Sequence, residues 1–191
     1  MELSLRRKPA SVRLSVRLFG DSGSQESQRL PSFGCFGTVV SGMCLDLFLD
    51  EFDVQTTATV IDELEATAGY DDPHGEAATT ILNHQKQFTV HTVEDDIPET
   101  SRIDQGEGSC VVLSDQRSAD FLVTDDLRAL PELQQLTDAQ VAISPIVLKA
   151  LVNRGVLDPE DAIQRLEQLT GTRDWVGAPI YRRAKQLFDE K

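Results

Sequence analysis

Two adjacent carboxylates follow an apolar segment in the second half of the chain, where they have the chemistry to bind a metal ion. Asp125 and Asp126 come directly after the segment FLVT, which has the composition of a strand. In an open parallel sheet, ligands bind beyond the carboxyl ends of the strands. Carboxylate oxygens at such a position suit a hard cation such as Mg²⁺. The alternative is a plain turn in which one aspartate caps the next helix.

A further carboxylate, Glu107, belongs to the predicted helix GEGSCVVLSDQ. Its neighbours at i+3, i+4 and i+7 are Cys110, Val111 and Ser114, and this small, apolar face is predicted to point to the core. A carboxylate on that face is costly unless it is paired or bound to a metal. A first-turn glutamate near the surface, favoured by the helix dipole, is the alternative, with Asp104 as the N-cap.

Glu63 is the third candidate and lies in the helical segment VIDELEA. The apolar residues of this segment mark a buried stripe that Glu63 borders, whereas Asp62 and Glu65 are predicted to face solvent. Taken alone, Glu63 would be an ordinary acid on a helix surface.

Strand-like and helix-like segments alternate from about residue 33 onward. The alternation predicts an α/β domain with a mostly parallel sheet of four or five strands, flanked by helices. The predicted strands are GCFGTVV, FDVQTT, QFTVHTV, ADFLVTDD and AQVAIS. The predicted helices are MCLDLFLDEF, ATVIDELEATAG, DDPHGEAATTILNHQK, GEGSCVVLSDQ, SPIVLKALVNRG, DPEDAIQRLEQLTG and VGAPIYRRAKQLFDEK.

Local signals predict where some helices begin and end. Thr59 with Asp62 forms a start signal for ATVIDELEATAG, and Gly69 is a natural stop. Asp72 is predicted to cap the next helix ahead of Pro73. Pro131 is predicted to delay or break the helix after ADFLVTDD.

The first part of the chain differs in charge from the rest. Residues 1–36 have six basic and three acidic residues, a net charge of +3, whereas the remainder has 12 basic and 29 acidic residues, a net charge of −17. Residues 1–32 show no sustained hydrophobic period and are predicted to be disordered, outside a domain that spans residues 33–191. A basic arm that contacts RNA and a reading frame extended upstream of the true start are the alternatives.

Composition restricts the remaining function classes. A net charge of −14 with few lysines should repel nucleic acid at ordinary ionic strength, but molar salt screens such repulsion, so we hypothesise a halophilic source. The chain has no apolar run of membrane-spanning length and no secretory signal, which predicts a cytoplasmic protein. The three cysteines lack CxxC spacing and are predicted to be buried thiols. The phosphate-binding motifs GxxxxGK[ST] and GxGxxG are missing.

The order of VIDELEA, DQGEGSCVVL and ADFLVTDDLRA resembles the PIN domain, as in toxin-type and related prokaryotic ribonucleases. The segment SPIVLKALVNRGVLDPEDAIQRL is similar to the C-terminal helices of archaeal-type members. The resemblance implies a PIN-like three-layer α/β fold with extra C-terminal helices. It also implies that Glu63, Glu107 and Asp125 or Asp126 are catalytic acids that hold Mg²⁺ or Mn²⁺. Thr124 would steady these acids by hydrogen bonding.

The implied function is metal-dependent endoribonuclease activity, which hydrolyses phosphodiester bonds in RNA. The partners implied are an RNA substrate, an antitoxin protein if the chain is a toxin, and a second copy in a homodimer.

One departure from the family pattern concerns its first strand, which ends in an aspartate in the pattern D-T-x-V-x-S. Here the matching stretch is FGTVVSG, so Gly37 or Phe36 stands where the aspartate belongs. This departure favours an alternative, a degenerate PIN module that binds RNA or a protein partner without cleavage. A receiver-type signalling domain is less well matched, because first-strand acids and a lysine directly after AQVAIS are both missing.

Overall fold

The computed structural model describes residues 13–16, 44–171, 182, 184–186 and 188. Its elements follow in chain order: β1 (Arg13–Val16), α1 (Leu45–Glu51), β2 (Asp53–Thr57), α2 (Ala58–Ala68), α3 (Pro73–Asn83), β3 (Thr89–His91), α4 (Gln105–Arg117), β4 (Phe121–Val123), α5 (Leu130–Leu136), β5 (Gln140–Ala142), α6 (Pro145–Asn153) and α7 (Pro159–Gly171). A short 3₁₀ helix, Gln85–Gln87, precedes β3.

The described strands form one sheet in the order β3-β2-β1-β4-β5. Every neighbouring pair is parallel, and β1 lies in the centre, with Leu14 opposite Val54 on one side and Phe121 on the other. This confirms the predicted α/β architecture with four or five mostly parallel strands. Because the strands are parallel, their carboxyl ends meet at one edge of the sheet.

The central strand lies in a segment that was predicted to be outside the domain. Arg13–Val16 belongs to the stretch expected to be disordered, but its backbone pairs with β2 and β4. Central strands of parallel sheets are usually near-continuous apolar runs, whereas RLSV alternates polar and apolar residues over only four positions. The predicted first strand GCFGTVV and the rest of residues 1–32 lie outside the described residues.

The helix α2 begins at Ala58, as the predicted segment ATVIDELEATAG does, but its N-cap is Thr57, two residues before the predicted Thr59. Thr57 has extended backbone at the end of β2, and its hydroxyl accepts a hydrogen bond from the Val60 amide at 3.3 Å. Thr59 already lies inside the helix, so the Thr59–Asp62 signal is wrong. The predicted stop at Gly69 is confirmed, as is the cap on α3, where Asp72 Oδ1 accepts from two backbone amides at 2.9 Å.

The helix α4 packs against β1, β2 and β4 and carries the predicted buried face. Cys110, Val111 and Ser114 are all buried, as is Glu107. The Glu107 amide donates to Asp104 Oδ1 at 3.0 Å, which confirms the N-cap. After β4, α5 begins only at Leu130, which agrees with the predicted delay, and Pro131 lies in its first turn and does not break the helix.

The core gathers side chains from all seven labelled helices and from the strands β2 and β4. The largest fully buried side chains are Phe48, Leu64, Ile81, Ile103, Leu113, Leu122, Leu133, Leu148, Leu151 and Leu166. Each such side chain contributes about 1.5–3 kcal/mol on burial. Among the described helices, none combines the length and the apolar composition that a membrane crossing requires.

Candidate functional site

Buried hydroxyl groups mark the carboxyl edge of the sheet. Thr57 ends β2, Thr124 follows β4, and Ser144 lies two residues beyond the end of β5. All three residues are at most 2% exposed. Buried polar groups are normally hydrogen bonded, as the Thr57 and Thr124 hydroxyls are, whereas the Ser144 hydroxyl has no hydrogen-bond partner among the described residues.

Glu107 is the most deeply buried of the predicted site acids, with 2% of its surface exposed. It sits in the first turn of α4, where free backbone amides and the helix dipole favour an anion. The Thr124 hydroxyl donates to Glu107 Oε1 at 3.4 Å and accepts from the Asp126 amide at 3.2 Å. Thr124 therefore connects the end of β4 to the buried carboxylate.

Glu63 reaches the same turn of α4 from the neighbouring helix α2. A Cβ atom added at Gly106 would lie 2.5 Å from Glu63 Oε1 and 2.8 Å from its Oε2. The Glu63 carboxylate thus occupies the space that a side chain at position 106 would fill. The structure brings Glu63 to the residue that precedes Glu107, although the two acids are 44 positions apart in the chain.

A buried hydrogen-bond chain fixes this approach of α2 to α4. The Thr57 and Ser109 hydroxyl oxygens lie 2.8 Å apart, and the Ser109 hydroxyl donates to the Gly106 carbonyl oxygen at 2.8 Å. Since the Ser109 proton is used in that bond, Thr57 is the donor to Ser109. Thr57 also caps α2, so one side chain positions the helix that carries Glu63 against the turn that carries Glu107.

The two adjacent aspartates point to different partners. Asp125 Oδ1 accepts a hydrogen bond from the Ser144 amide at 2.9 Å, which ties the loop after β4 to the start of α6. Asp126 Oδ1 accepts from the Arg128 amide at 2.8 Å, and its carboxylate also contacts the Arg128 guanidinium at 3.4 and 3.5 Å. The two aspartates, which the sequence alone does not distinguish, thus differ in the structure by their hydrogen-bond partners.

A second glycine flanks Glu107 on its other side. A Cβ atom at Gly108 would collide with the Pro98 carbonyl oxygen and would lie 2.6 Å from Ile97 Cγ2. The loop that leads from β3 to α4 therefore packs directly on the backbone of the first turn. The helix backbone is thus approached by the Glu63 carboxylate at Gly106 and by this loop at Gly108, the two neighbours of Glu107 in the sequence.

The histidine of β3 takes part in a separate network. Arg117 donates to His91 Nδ1 at 3.0 Å, so His91 Nε2 carries the proton and donates to Gln55 Oε1 at 3.1 Å. Burial and the Arg117 charge lower the pKa of His91, against a smaller opposing effect of Asp53. His91 is thus neutral near pH 7, as suits a structural histidine.

The donor chemistry of the site fits a divalent cation. Among the residues that the structure describes, no group of three or more His, Cys, Asp or Glu side chains is arranged as a metal site. Mg²⁺ is, however, commonly held by one or two carboxylates, with substrate phosphates and waters as its other ligands. Glu63 supplies a hard oxygen donor from α2 and Glu107 supplies one from the first turn of α4, the donor type that Mg²⁺ prefers.

Several residues that build the site were not predicted from the sequence. Gly106, Ser109 and Thr57 position the two glutamates, and Arg128 contacts Asp126. The motif G-E-G could have indicated close packing at this turn, because glycine is unfavourable within a helix and is usually kept there for a packing or functional reason. The Thr57–Ser109 contact joins residues 52 positions apart, and no local sequence pattern predicts it.

A parallel sheet with a buried acid and partly buried acids beside its carboxyl edge is typical of α/β domains that bind ligands at that edge. A family model described as a PIN domain matches residues 43–190. The chain therefore belongs to the PIN domain family, a nuclease-like family whose members generally use divalent metal ions. No curated protein and no solved structure matched the chain significantly.

Proposed function

We propose that this chain is a Mg²⁺- or Mn²⁺-dependent endoribonuclease that hydrolyses phosphodiester bonds in single-stranded RNA. The observation that carries the proposal is the placement of Glu107, a buried carboxylate in a helical first turn, with the Glu63 carboxylate against the adjacent Gly106. A buried acid is costly unless it is compensated, and function is a common reason for keeping one.

Glu63 and Glu107 would hold the cation, with Asp125 at the rim of the same edge. When bound, the metal would lower the pKa of a water molecule and neutralise charge on the phosphate. Thr124 orients Glu107 by donating to its Oε1, and Asp104 holds the Glu107 backbone. The chain of hydrogen bonds from Thr57 keeps α2 and Glu63 in place. These contacts preorganise the carboxylates before substrate binds.

The experiment compares two glutamates that occupy the first turns of different helices. Glu107→Gln should abolish Mn²⁺-dependent cleavage of a single-stranded RNA oligonucleotide and leave the circular dichroism spectrum unchanged. The matched control is Glu76→Gln, which changes an exposed first-turn glutamate of α3 and should keep full activity. Cleavage by Glu107→Gln at the wild-type rate would reject the assignment.

A specific observation favours a second candidate, the degenerate PIN module that binds RNA or a protein without cutting. None of the four residues of the central strand β1 is acidic, and the next residue in the sequence is Arg17. The family resemblance implies an aspartate at the end of the first strand; the stretch matched to that strand in the sequence, FGTVVSG, lies outside the described residues, and β1 is the first strand that the structure describes. RNA binding without cleavage by the wild-type chain, at any Mn²⁺ concentration, would support this candidate against the nuclease.

The biological setting that we propose is cytoplasmic RNA turnover, with the chain acting as the toxin of a toxin–antitoxin pair. An antitoxin protein would then inhibit the chain by covering the carboxyl edge of the sheet. Expression of the wild-type chain should arrest growth of a host cell, and expression of Glu107→Gln should not. Growth arrest by both chains would contradict a toxic ribonuclease activity.

A further inference from the structure

Arg128 is an exposed cation on the loop that borders the candidate site. Its side chain is 61% exposed, whereas that of its partner Asp126 is 15% exposed. The Nε and one terminal nitrogen of the guanidinium contact the Asp126 carboxylate at 3.5 and 3.4 Å. These contacts are long for hydrogen bonds, so they hold the guanidinium only weakly and leave its other N–H donors to solvent.

The anchoring of Arg128 continues inward to Glu107. The Arg128 amide donates to Asp126 Oδ1 at 2.8 Å, and the Asp126 amide donates to the Thr124 hydroxyl at 3.2 Å. That hydroxyl in turn donates to Glu107 Oε1. A short series of hydrogen bonds therefore connects the backbone of Arg128 to the buried acid, and the guanidinium extends from that fixed point.

A polyanionic substrate needs such a cation on this molecule. With a net charge of −14, the chain as a whole repels RNA. A guanidinium matches the geometry of a phosphate group and binds it through paired hydrogen bonds. An arginine beside the acids would let a phosphodiester approach an edge that would otherwise repel it.

We propose that Arg128 binds a backbone phosphate of single-stranded RNA next to the cleaved bond, and that Asp126 is the positioning residue for Arg128 and no metal ligand. This inference rests on the proposed function, because it assumes that RNA enters at the carboxyl edge of the sheet. The two adjacent aspartates then have different roles: Asp126 positions Arg128, and Asp125 is the aspartate that belongs to the candidate metal site.

The binding experiment measures RNA affinity without cleavage. Fluorescence anisotropy with a single-stranded RNA oligonucleotide in EDTA compares wild type with Arg128→Gln, Arg128→Lys and Lys86→Gln. The last variant removes an exposed cation from the 3₁₀ helix before β3, on the side of the sheet where strands begin. Arg128→Gln should raise Kd about 10-fold and reduce the slope of log K against log salt by about 0.7, the value for one phosphate contact. The Kd of Arg128→Lys should lie between those of wild type and Arg128→Gln, and the Kd of Lys86→Gln should equal that of wild type.

The cleavage experiment separates binding from chemistry and tests Asp126. In Mn²⁺, Arg128→Gln should raise KM about 10-fold and leave kcat within about twofold of wild type. The reason is that the Arg128–phosphate contact would be equally strong in the bound substrate and in the transition state. Asp126→Asn should raise KM while leaving the Mn²⁺ affinity measured by calorimetry unchanged. Loss of Mn²⁺ binding in Asp126→Asn would make it a metal ligand and overturn its positioning role.

The outcomes of these measurements are distinguishable. An unchanged Kd in Arg128→Gln, or a Kd raised equally in Lys86→Gln, would overturn the role of Arg128, whatever the activity of wild type. Wild type that binds RNA but does not cut it would overturn the nuclease proposal and leave the phosphate contact standing. Wild type that neither binds nor cuts RNA would overturn both.

Discussion

The two glycines beside Glu107 leave room for neighbours of different kinds. The space at Gly106 is filled by the end of the flexible Glu63 side chain, whereas the space at Gly108 is filled by the backbone carbonyl of Pro98. A flexible side chain is able to move away from an added methyl group, but a packed loop backbone moves only at a larger cost in stability. The same substitution at the two positions should therefore have opposite effects.

Gly106→Ala should weaken metal binding without unfolding the protein. The new Cβ would displace the Glu63 carboxylate, so the Mn²⁺ dissociation constant should rise about 10-fold, the lower end of the effect of disturbing groups around a metal. The free energy of unfolding should stay the same or rise by up to about 1 kcal/mol, because alanine is favoured over glycine in helices. Calorimetric Mn²⁺ titration and urea denaturation measure the two quantities.

The companion variant Gly108→Ala should lose about 1–3 kcal/mol of stability, since the Pro98 carbonyl must shift to admit the methyl group. A Gly106→Ala protein that binds Mn²⁺ as tightly as wild type would show that Glu63 does not contribute to the site. Equal losses of stability in both variants would show that the Glu63 side chain is held as rigidly as the loop.

At the scale of secondary-structure elements, Thr57 joins three parts of the site. It ends β2, caps α2 through the Val60 amide and donates to Ser109 on α4. The bond between Thr57 and Ser109 is buried, so the loss of either partner leaves a polar group in the core. This hydroxyl group therefore helps to fix the position of α2 relative to α4, and with it the place of Glu63, beside the apolar contacts that the two helices share in the core.

Thr57→Val should therefore lower both stability and metal affinity. Loss of the cap and of one buried hydrogen bond should reduce the free energy of unfolding by about 2 kcal/mol, about 1 kcal/mol from each. The control is Thr80→Val, which removes an exposed hydrogen bond to the Glu76 carbonyl and should change stability by less than about 0.5 kcal/mol. Chemical denaturation of the two variants is the measurement, and equal stabilities would refute the role of Thr57.

Most elements from α1 onward were predictable, because they have local patterns in the sequence. Capping residues such as Asp72 and Asp104 and the buried face of α4 depend on neighbours within one helical turn. The central strand was not predictable in this way, because RLSV is short and lacks the apolar run typical of a buried parallel strand. Its place is set by pairing with β2 and β4, which are distant in the sequence.

The candidate site was predictable as a set of acids but not as an arrangement. The buried face of α4 pointed to Glu107 from its own helical neighbours. Asp125 accepts a hydrogen bond from Ser144, and Asp126 accepts one from Arg128. A pattern of hydrophobic residues does not predict such polar contacts. The contact between Glu63 and Gly106 is likewise a tertiary contact. The unusual G-E-G motif was the one sequence feature that indicated it.

At the scale of the whole molecule, the charge distribution bears on both stability and RNA binding. Residues 37–191 carry a net charge of −17, and exposed acids occur on helices and loops of the described domain. Like charges on a compact surface repel one another and destabilise the folded state. At 1 M salt the screening length falls to about 3 Å, so most of this repulsion should disappear.

We expect molar KCl to stabilise the wild-type chain. A gain of about 2–3 kcal/mol in the free energy of unfolding would raise Tm by roughly 5–10 °C for a domain of this size. Differential scanning calorimetry from dilute buffer to about 2 M KCl, a range over which screening saturates, measures the shift. Light scattering should show the protein more monodisperse in the concentrated salt.

A variant with four exposed acids neutralised distinguishes charge repulsion from a general effect of salt. The substitutions are Glu65→Gln, Asp71→Asn, Glu94→Gln and Asp96→Asn, which change the net charge from −14 to −10. If repulsion is the cause, this variant should be more stable than wild type in dilute buffer and gain less from KCl, because less repulsion remains to be screened. An identical gain in both proteins would point to a salt effect independent of charge, and a wild-type chain that is fully stable without salt would refute the halophilic interpretation.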